Sequence, residues 1–430
     1  NLFIVGQKDA DDPPVHRAAE NQGLVKMSYL TLVAKVKVEP LTQAVLLDGM
    51  RCATKVYNGL IWHLRVEHQN TGKSTINRAH LNRLMKALPR ANGYYSLSAQ
   101  ATRDEVIQAY RSFFQLQKGG HEKARPPGFR RRNRYSPLRY FDGYGFKVNG
   151  NRLTLSMGRR RQDGVRLVTM EIQHRRDITY RRIVSILLTY DEKVGLQVHL
   201  VVDVEDGRAK GDGKVAVDLG ETQLISAIFD DGKALLYSGR KIKSIRRYWQ
   251  KVRRCVKPPN EENPMKSRRY RQIDRKEHRQ VNHLLHIITR DFVQRCYQVG
   301  VGTIAIGDLN GLRSSIDYGK RMNQRLHSWP YVRIADMIEY KARLHGIEVV
   351  RTDEAYTSQL CHACRKIARS NRKQRGWYRC ECGWSMHADI NAGANLFERE
   401  FNVSPLRSSG AVAVPAVVPI KVNGHTVCEA

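Results

Sequence analysis

The chain has 430 residues, of which 41% are hydrophobic, so it is long enough for more than one domain and apolar enough to give each a core. Lys and Arg number 74 against 41 Asp and Glu, a formal charge of +33; a soluble chain this basic repels itself unless it binds a polyanion, and because the excess runs along the whole chain, a long nucleic-acid track fits better than one basic tail. No apolar run approaches the ~20 residues of a membrane-crossing helix, none reads as a signal peptide, and one cluster of four cysteines beside four scattered ones points to a reducing, intracellular compartment with a metal site instead of a disulfide framework.

Residues 1–28 carry DADDPP without a periodic apolar pattern and predict a flexible leader. From Ser28, SYLTLVAKVKVEP alternates apolar and polar residues and predicts a strand ending at Pro40. Beyond it, Leu46, Met50, Ala53, Val56, Tyr57, Leu60 and Ile61 recur at helical spacing. Further helices are predicted over 73–88 and 98–117, the latter with a stripe of Val106, Ile107, Tyr110, Phe113 and Phe114 that reads as core packing. Residues 118–140 have no period and are rich in Arg, Pro and aromatics: Arg130, Arg131, Arg132 and Arg134 interleave with Phe129 and Tyr135. Arg forks grip phosphates and aromatics stack on unpaired bases, so this loop reads as a nucleic-acid clamp more than as a solvated linker. Short strands then follow one another from 145 to 204 and predict a small β-barrel or sheet closing on the first strand. From 211 the pattern changes to an antiparallel meander, a basic helical stretch over 246–299 interrupted at 257–264, a buried strand GTIAIGDLNGL, an amphipathic helix over 328–344 and a second buried strand IEVVRT. That succession predicts an α/β layer fold. Beyond Phe401 the tail carries little signal.

Cys361 and Cys364 have two residues between them, and Cys380 and Cys382 have one. Thiolates converging from two tight turns make the tetrahedral sulfur cage that Zn²⁺ prefers, and the basic, polar excursion between the pairs suits a zinc ribbon. The second pair is tighter than the usual spacing, which leaves the fourth ligand open between Cys382 and His387. Two carboxylates stand out beside it. Asp218 ends the strand VAVDLG, where alternation puts it on the face of Ala216, opposite Val215 and Val217. Such an acid suits a metal ligand, although Asp close to Gly is also ordinary turn chemistry. Asp389, in HADINAGANL, stands at the start of a helix and could equally cap it. Carboxylates brought together can hold a pair of Mg²⁺ ions for phosphodiester cleavage.

VAVDLG, IAIGDLNGLR, EAYTSQLCHAC and CGWSMHADINAGANL, in that order, resemble the TnpB family: transposon-encoded RNA-guided nucleases, their eukaryotic relatives called Fanzor, and compact type V CRISPR effectors. The strand ending at Glu39-Pro40, KVYN at 55–58, SFF at 112–114, RPPGFRRR and HSWPYVRIADMIEYKARLHGIEV are similar to it as well, so the resemblance covers roughly residues 29–398. It implies an α/β and α+β multidomain fold. An RNase H-like (RuvC) nuclease domain would occupy 209–354 and 385–406 with a zinc ribbon at 355–384 inserted. A β-barrel wedge domain would occupy 29–45 and 125–208, with a helical recognition domain at 46–124 inserted and a tail at 407–430. It implies an RNA-guided DNA endonuclease with structural Zn²⁺ and catalytic Mg²⁺. Its partners would be a guide RNA and a double-stranded target bearing a short flanking motif, held as a monomeric ribonucleoprotein without membrane contact. Nucleic-acid contacts would include Tyr57, Asn58, Arg125, the arginines of the 130–134 run, and Arg246 and Arg247. The compartment would be cytoplasm or nucleoid in a microbe, nucleus in a eukaryote.

The family's usual catalytic set is Asp, Glu, Asp. By position the first is Asp218 and the last Asp389, but the family's middle Glu falls here on Gly307. Three readings compete. Asp308 could substitute, although one step along a strand turns a side chain to the opposite face. The acid could have moved, as in family members with a rearranged site; Glu354, directly after IEVVRTD, is the natural candidate. Or the nuclease is inactive and the protein is an RNA-guided binder of the repressor kind, against which the retention of both Asp218 and Asp389 argues.

Overall fold

The computed structural model describes residues 28–131, 134–173, 179–192, 194–256, 267–308, 329–372, 376–406, 416–422 and 425–428. The expected leader, the interruption at 257–264 and Arg132 lie outside these. The chain forms two units that meet at 205/206. Among the described residues no helix is long and apolar enough to cross a membrane.

In the first unit, β1 (Ser28–Lys37) buries Leu32 and Ala34 while Thr31, Val33 and Lys35 face outward, the alternation expected of a strand with one covered face. Pro40 then opens α1 (Pro40–Thr71) at a position where its missing N–H costs nothing, and Gly72, at φ 70°, ends it. The buried face of α1 includes Leu46, Met50, Ala53, Val56, Leu60 and Ile61, the periodic set read from the sequence. The helix expected over 73–88 is shorter: α2 (Arg78–Lys86) starts where the Asn77 side chain accepts from the His80 N–H, so the cap sets the start and residues 73–77 are not helical. α3 (Ser96–Lys118) turns Val106, Ile107, Tyr110 and Phe113 inward.

Six further strands follow: β2 (Leu138–Phe141), β3 (Phe146–Asn149), β4 (Arg152–Ser156), β5 (Leu167–Gln173), β6 (Arg182–Asp191) and β7 (Gly195–Val204). The sheet order is β2-β6-β7-β1-β5-β4-β3, antiparallel throughout. The two edge strands are consecutive in the chain and joined by a tight turn in which Phe141 bridges Tyr144, so the sheet curls nearly to a barrel. β1 lies at its centre, with Val33 opposite His199 and Val36 opposite Ile172. β2 corrects the sequence reading, which ran the irregular loop on through Tyr140. Its Leu138 and Tyr140 are buried and Arg139 and Phe141 exposed, a stretch too short to show its period.

The second unit begins with an antiparallel meander, β8 (Gly213–Asp218), β9 (Gln223–Phe229) and β10 (Ala234–Ser238). Then come α4 (Arg240–Val256), α5 (Arg268–Gln298), β11 (Val301–Asp308), α6 (Tyr331–Arg343) and β12 (Glu348–Asp353). The two-stranded β13 (Trp377–Arg379) and β14 (Ser385–His387) precede α7 (Ala388–Phe401). β11 pairs in parallel with both β8 and β12. One face of the sheet packs Val215, Val217, Ile304 and Ile306 against Leu285, Ile288 and Phe292 of α5 and Ile334 and Ile338 of α6. The other packs Ala216, Ile228 and Ala305 against Ile390, Ala394 and Phe397 of α7. Helices thus cover both faces, as parallel strands require. The tail beyond Phe401, which carried little signal in the sequence, contains short strands. β15 (Ala416–Val417) extends the sheet in parallel beside β10, with Val418 buried behind it, and β16 (Ile420–Val422) pairs with β17 (His425–Cys428). Two residues of strand are below what a sequence pattern can show.

Candidate active site

Asp218 is the last residue of β8. Alternation from Ala216, which packs on α7, directs Asp218 to the α7 side of the sheet. Asp389 lies in the first turn of α7, where a carboxylate complements the helix dipole. On β11 the alternation from Ala305 puts Gly307 on that same side and Asp308 on the other. Gly307 sits between Thr352 of β12 and the end of β8 in the sheet, and its missing side chain leaves space that Glu354 fills. A Cβ built on Gly307 would collide with Glu354 Oε2 and come within 3.2 Å of its Cδ and 3.3 Å of its Cβ. The Glu354 carboxylate thus reaches from the end of β12 over Gly307, the position expected from the sequence for the middle acid.

The electrostatics of these groups are those of an unneutralised cluster. Burial, then the charge of Asp389, pushes the Asp218 carboxyl up to about 7, against the opposing pull of Arg372. Burial, then the charges of Asp218, Asp308 and Asp353, pushes Glu354 up to about 8. Glu354 Oε2 is buried and has no hydrogen-bond partner among the described residues. A buried carboxylate oxygen without a donor is costly unless something positive comes to it. Arg372 donates from Nη2 to Asp389 Oδ1 at 3.0 Å. Asp218 and Asp389 line a cleft of about 650 Å³ whose walls also carry Arg240, Lys243, Arg372 and His387. Lys243 pairs with Glu221 of the same wall at 3.5 Å. Carboxylates and cations lining one cleft can hold divalent ions and a phosphodiester together.

The cysteine cluster stands between Glu354 and Asp389 in the chain. The Sγ atoms of Cys361, Cys364, Cys380 and Cys382 all lie within 4.8 Å of one another. Cys361 to Cys382 and Cys364 to Cys380 are each 3.6 Å. A sulfur tetrahedron around Zn²⁺ has edges of about 3.8 Å, whereas a disulfide needs about 2.05 Å; the set could hold a zinc ion. Each pair is followed directly by a residue in the left-handed region, Arg365 at φ 63° and Gly383 at φ 90°, so the shorter Cys380–Cys382 pair closes a knuckle equivalent to the first. His387 is not in the set. Its Nδ1 accepts from the Asp389 N–H at 3.3 Å and caps α7.

The expected nucleic-acid residues divide in two. Asn58 Nδ2 donates to the Arg130 carbonyl at 2.8 Å and its Oδ1 accepts from the Arg130 N–H at 2.7 Å. The Arg130 guanidinium stacks 3.7 Å from the Tyr57 ring centroid and donates to Ser136 Oγ and Glu105 Oε2. Asn58 and the Tyr57 ring thus tie the loop to α1 through Arg130. Arg125, Arg131 and Arg134 are exposed on that loop, beside the exposed ring of Phe129, itself stacked on Arg65 at 4.5 Å. On α4, Arg246 is half-buried, ion-paired to Glu277 and over the Trp329 ring, while Arg247 is exposed. Sequence reasoning missed Arg240, Lys243 and Arg372 in the cleft, because single cations in a basic chain carry no local signal. It also missed Asn391 and Asn395, for which a signal existed: two amides four residues apart in the apolar run 390–397 of α7.

Two family models match: "Cas12f1-like, TNB domain" over residues 331–396 and "Probable transposase" (OrfB_IS605) over 197–313. The chain is a relative of the TnpB and Cas12f1 proteins. It is 37% identical over 112 residues to the CRISPR-associated endodeoxyribonuclease Cas12f1 of Sulfoacidibacillus thermotolerans, covering 26% of this chain and 25% of that protein. It is 25% identical over 209 residues to the TnpB-like protein ORF457 of Acidianus two-tailed virus, covering 46% and 44%. The matches therefore span from a quarter to less than half the length of these relatives. Among solved structures, the cryo-EM structure of a Cas12f1–sgRNA–target DNA complex aligns with TM-score 0.56 at 17% identity over 84% of this chain and 83% of that one, a likeness of fold. The resemblance read from the motifs is thus sustained, and with it the mixed α/β architecture bearing a near-barrel sheet.

Proposed function

We propose that the chain is an RNA-guided DNA endonuclease whose nuclease site is built from Asp218, Glu354 and Asp389, with the middle acid moved from the Gly307 position to the end of β12. The observation that carries this is the buried, unpartnered Glu354 carboxylate oxygen lying over Gly307 and coupled in charge to Asp218. The β8–β12 sheet, a three-strand antiparallel meander continued by two parallel strands, supports an RNase H-like (RuvC) domain over 209–354 and 385–406. The similarity to Cas12f1 and the fold shared with the Cas12f1–sgRNA–target DNA complex support the guide RNA and DNA partners.

Asp218, Glu354 and Asp389 would hold the divalent cations, Mg²⁺ in the cell. The donor set fits: hard carboxylate oxygens, with two of the three carboxyls held above the ordinary range by burial and neighbouring negative charge, and one oxygen without a partner among the described residues. Bound there, such ions activate water and stabilise the leaving oxygen of a phosphodiester. Arg240, Lys243 and Arg372 add positive charge for the substrate backbone, and Arg372 keeps Asp389 oriented. Cys361, Cys364, Cys380 and Cys382 would hold a structural Zn²⁺ in a ribbon over 355–384. The barrel at 29–45 and 125–208 would bind the RNA scaffold. The helices at 46–124 would hold the guide–target duplex and read the flanking motif, the whole acting as a monomeric ribonucleoprotein.

The test is to purify the chain with the RNA it carries, sequence that RNA, and assay cleavage of a matching target with Mg²⁺. Asp218→Asn, Glu354→Gln and Asp389→Asn should each bind target and fail to cut. If Glu354→Gln cuts like the wild type while Asp218→Asn is inert, the moved-acid assignment is wrong. If the wild type binds its target and never cuts, the protein is a guided binder.

A further inference from the structure

Helix α7 carries Asn391, Asn395 and Arg399 at four-residue spacing, hence on one face. Asn391 and Asn395 are 0% and 3% exposed, and buried amides need partners. All three find theirs on one segment, residues 353–362, which runs from the end of β12 to the first cysteine pair. Arg399 donates to the carbonyls of Asp353 at 2.7 Å and Ala355 at 2.9 Å. Asn395 Nδ2 donates to the carbonyls of Thr357 at 2.9 Å and Leu360 at 2.8 Å. Asn391 Nδ2 donates to the Leu360 carbonyl at 2.8 Å, and its Oδ1 accepts from the His362 N–H at 3.4 Å. With Nδ2 of Asn395 used twice as a donor, its Oδ1 is the acceptor facing His362 Nδ1 at 3.1 Å. Nδ1 therefore carries the proton, and Nε2 lies 2.9 Å from the Ser404 hydroxyl. The segment lies antiparallel along α7 with its carbonyls taken in order.

Both ends of this segment bear chemistry. Glu354 is at one end, and its carbonyl accepts from Thr357 N–H and Oγ1, so it is one turn removed from the Asn395 contact. Cys361 is at the other end, directly after Leu360. Asp389 is in the first turn of the helix that does the gripping. A Leu at both 391 and 395 would suit the apolar surroundings of α7 but would take these donors from the Thr357 and Leu360 carbonyls. The geometry points to Asn391 and Asn395 as positioning residues that couple the cysteine cluster to the carboxylate site: order at one end of the segment is transmitted to the other along α7. This rests on the reading of Glu354 and the cysteines as metal ligands.

The test uses the full chain and Asn395→Asp, which keeps the shape but cannot donate to two carbonyls. Zinc release to a chromophoric chelator should quicken about 10-fold or more, as for other residues that orient metal ligands. Affinity for Mn²⁺, followed by its paramagnetic signal, should fall by a similar factor. Leu396→Ala, which opens a core cavity on the same helix, should lower the melting temperature and change neither. Coupling is reciprocal, so Cys364→Ser, which removes a zinc ligand and leaves α7 untouched, should weaken Mn²⁺ binding and speed amide exchange at 354–360. This second arm decides the matter if Asn395→Asp does not fold. Wild-type zinc release and Mn²⁺ affinity in Asn395→Asp would overturn the inference, as would unchanged Mn²⁺ affinity and exchange in Cys364→Ser. A wild-type chain that holds zinc but binds no Mn²⁺ would sink the Glu354 assignment instead. Exchange at 354–360 in Cys364→Ser would then still decide the coupling.

Discussion

At Gly307 one missing side chain makes room for another. Gly307→Ala should push the Glu354 carboxylate aside by about 1 Å, and a misplacement of that size costs on the order of 10²-fold in rate; single-turnover cleavage with guide and target bound measures it. The charges of the cluster give a second expectation. Asp218 and Glu354 are raised to about 7 and about 8, above their unfolded values, so the fold favours their protonated forms. Their contribution to stability is fully present at acid pH and is lost as pH rises through 7 to 8. Without divalent ions, the melting temperature of wild type relative to Asp218→Asn should therefore fall from pH 5.5 to 8.5. Added Mg²⁺ should remove that fall, since cation and protons compete for the same oxygens. At this scale the sequence was informative where a residue broke a pattern, as Gly307 does. It was silent on Arg372, whose meaning comes only from the fold bringing it 3.0 Å from Asp389.

Elements with a long period were legible: α1 and β1 follow their spacing, and β8 puts Asp218 on the face that alternation assigned. What escaped was short or set by a partner far along the chain, as with β2 and β15, whose few residues are strands only because β6 and β10 lie beside them. Capping also decided what periodicity could not. His387 was an open alternative as a zinc ligand, and it caps α7. His387→Ala should keep full zinc content while lowering stability by roughly 0.5–2 kcal/mol, whereas Cys382→Ser should lose zinc; metal analysis and denaturant melts separate the two. The loop after α3 divides in the same manner. Arg130→Ala should destabilise the chain, because Tyr57, Glu105 and Ser136 lose their shared partner. Arg131→Ala, at an exposed position, should leave stability alone and reduce the slope of log affinity for RNA against log salt by about 0.7.

Over the whole molecule the excess of positive charge is not neutralised by its own acids. It is displayed on the loop bearing Arg125, Arg131 and Arg134 in the first unit and on Lys241, Arg247, Lys251 and Arg254 of α4 in the second. A chain of formal charge +33 resists compaction by self-repulsion, so a bound polyanion should stabilise it in two ways, by mass action and by relief of that repulsion. Mass action alone is worth about 4 kcal/mol at a free RNA concentration 1,000 times Kd. The copurifying RNA should therefore raise the melting temperature of the wild-type chain by several degrees, and the increment should shrink as salt is raised from about 0.1 to 0.5 M, where counterion release weakens every phosphate contact. Asp218→Asn and Glu354→Gln should keep the whole of this RNA-dependent increment, because neither substitution removes any of the exposed arginines and lysines. A stabilisation by RNA that persisted unchanged at high salt would mean that shape and base contacts, not the exposed arginines and lysines, hold the guide.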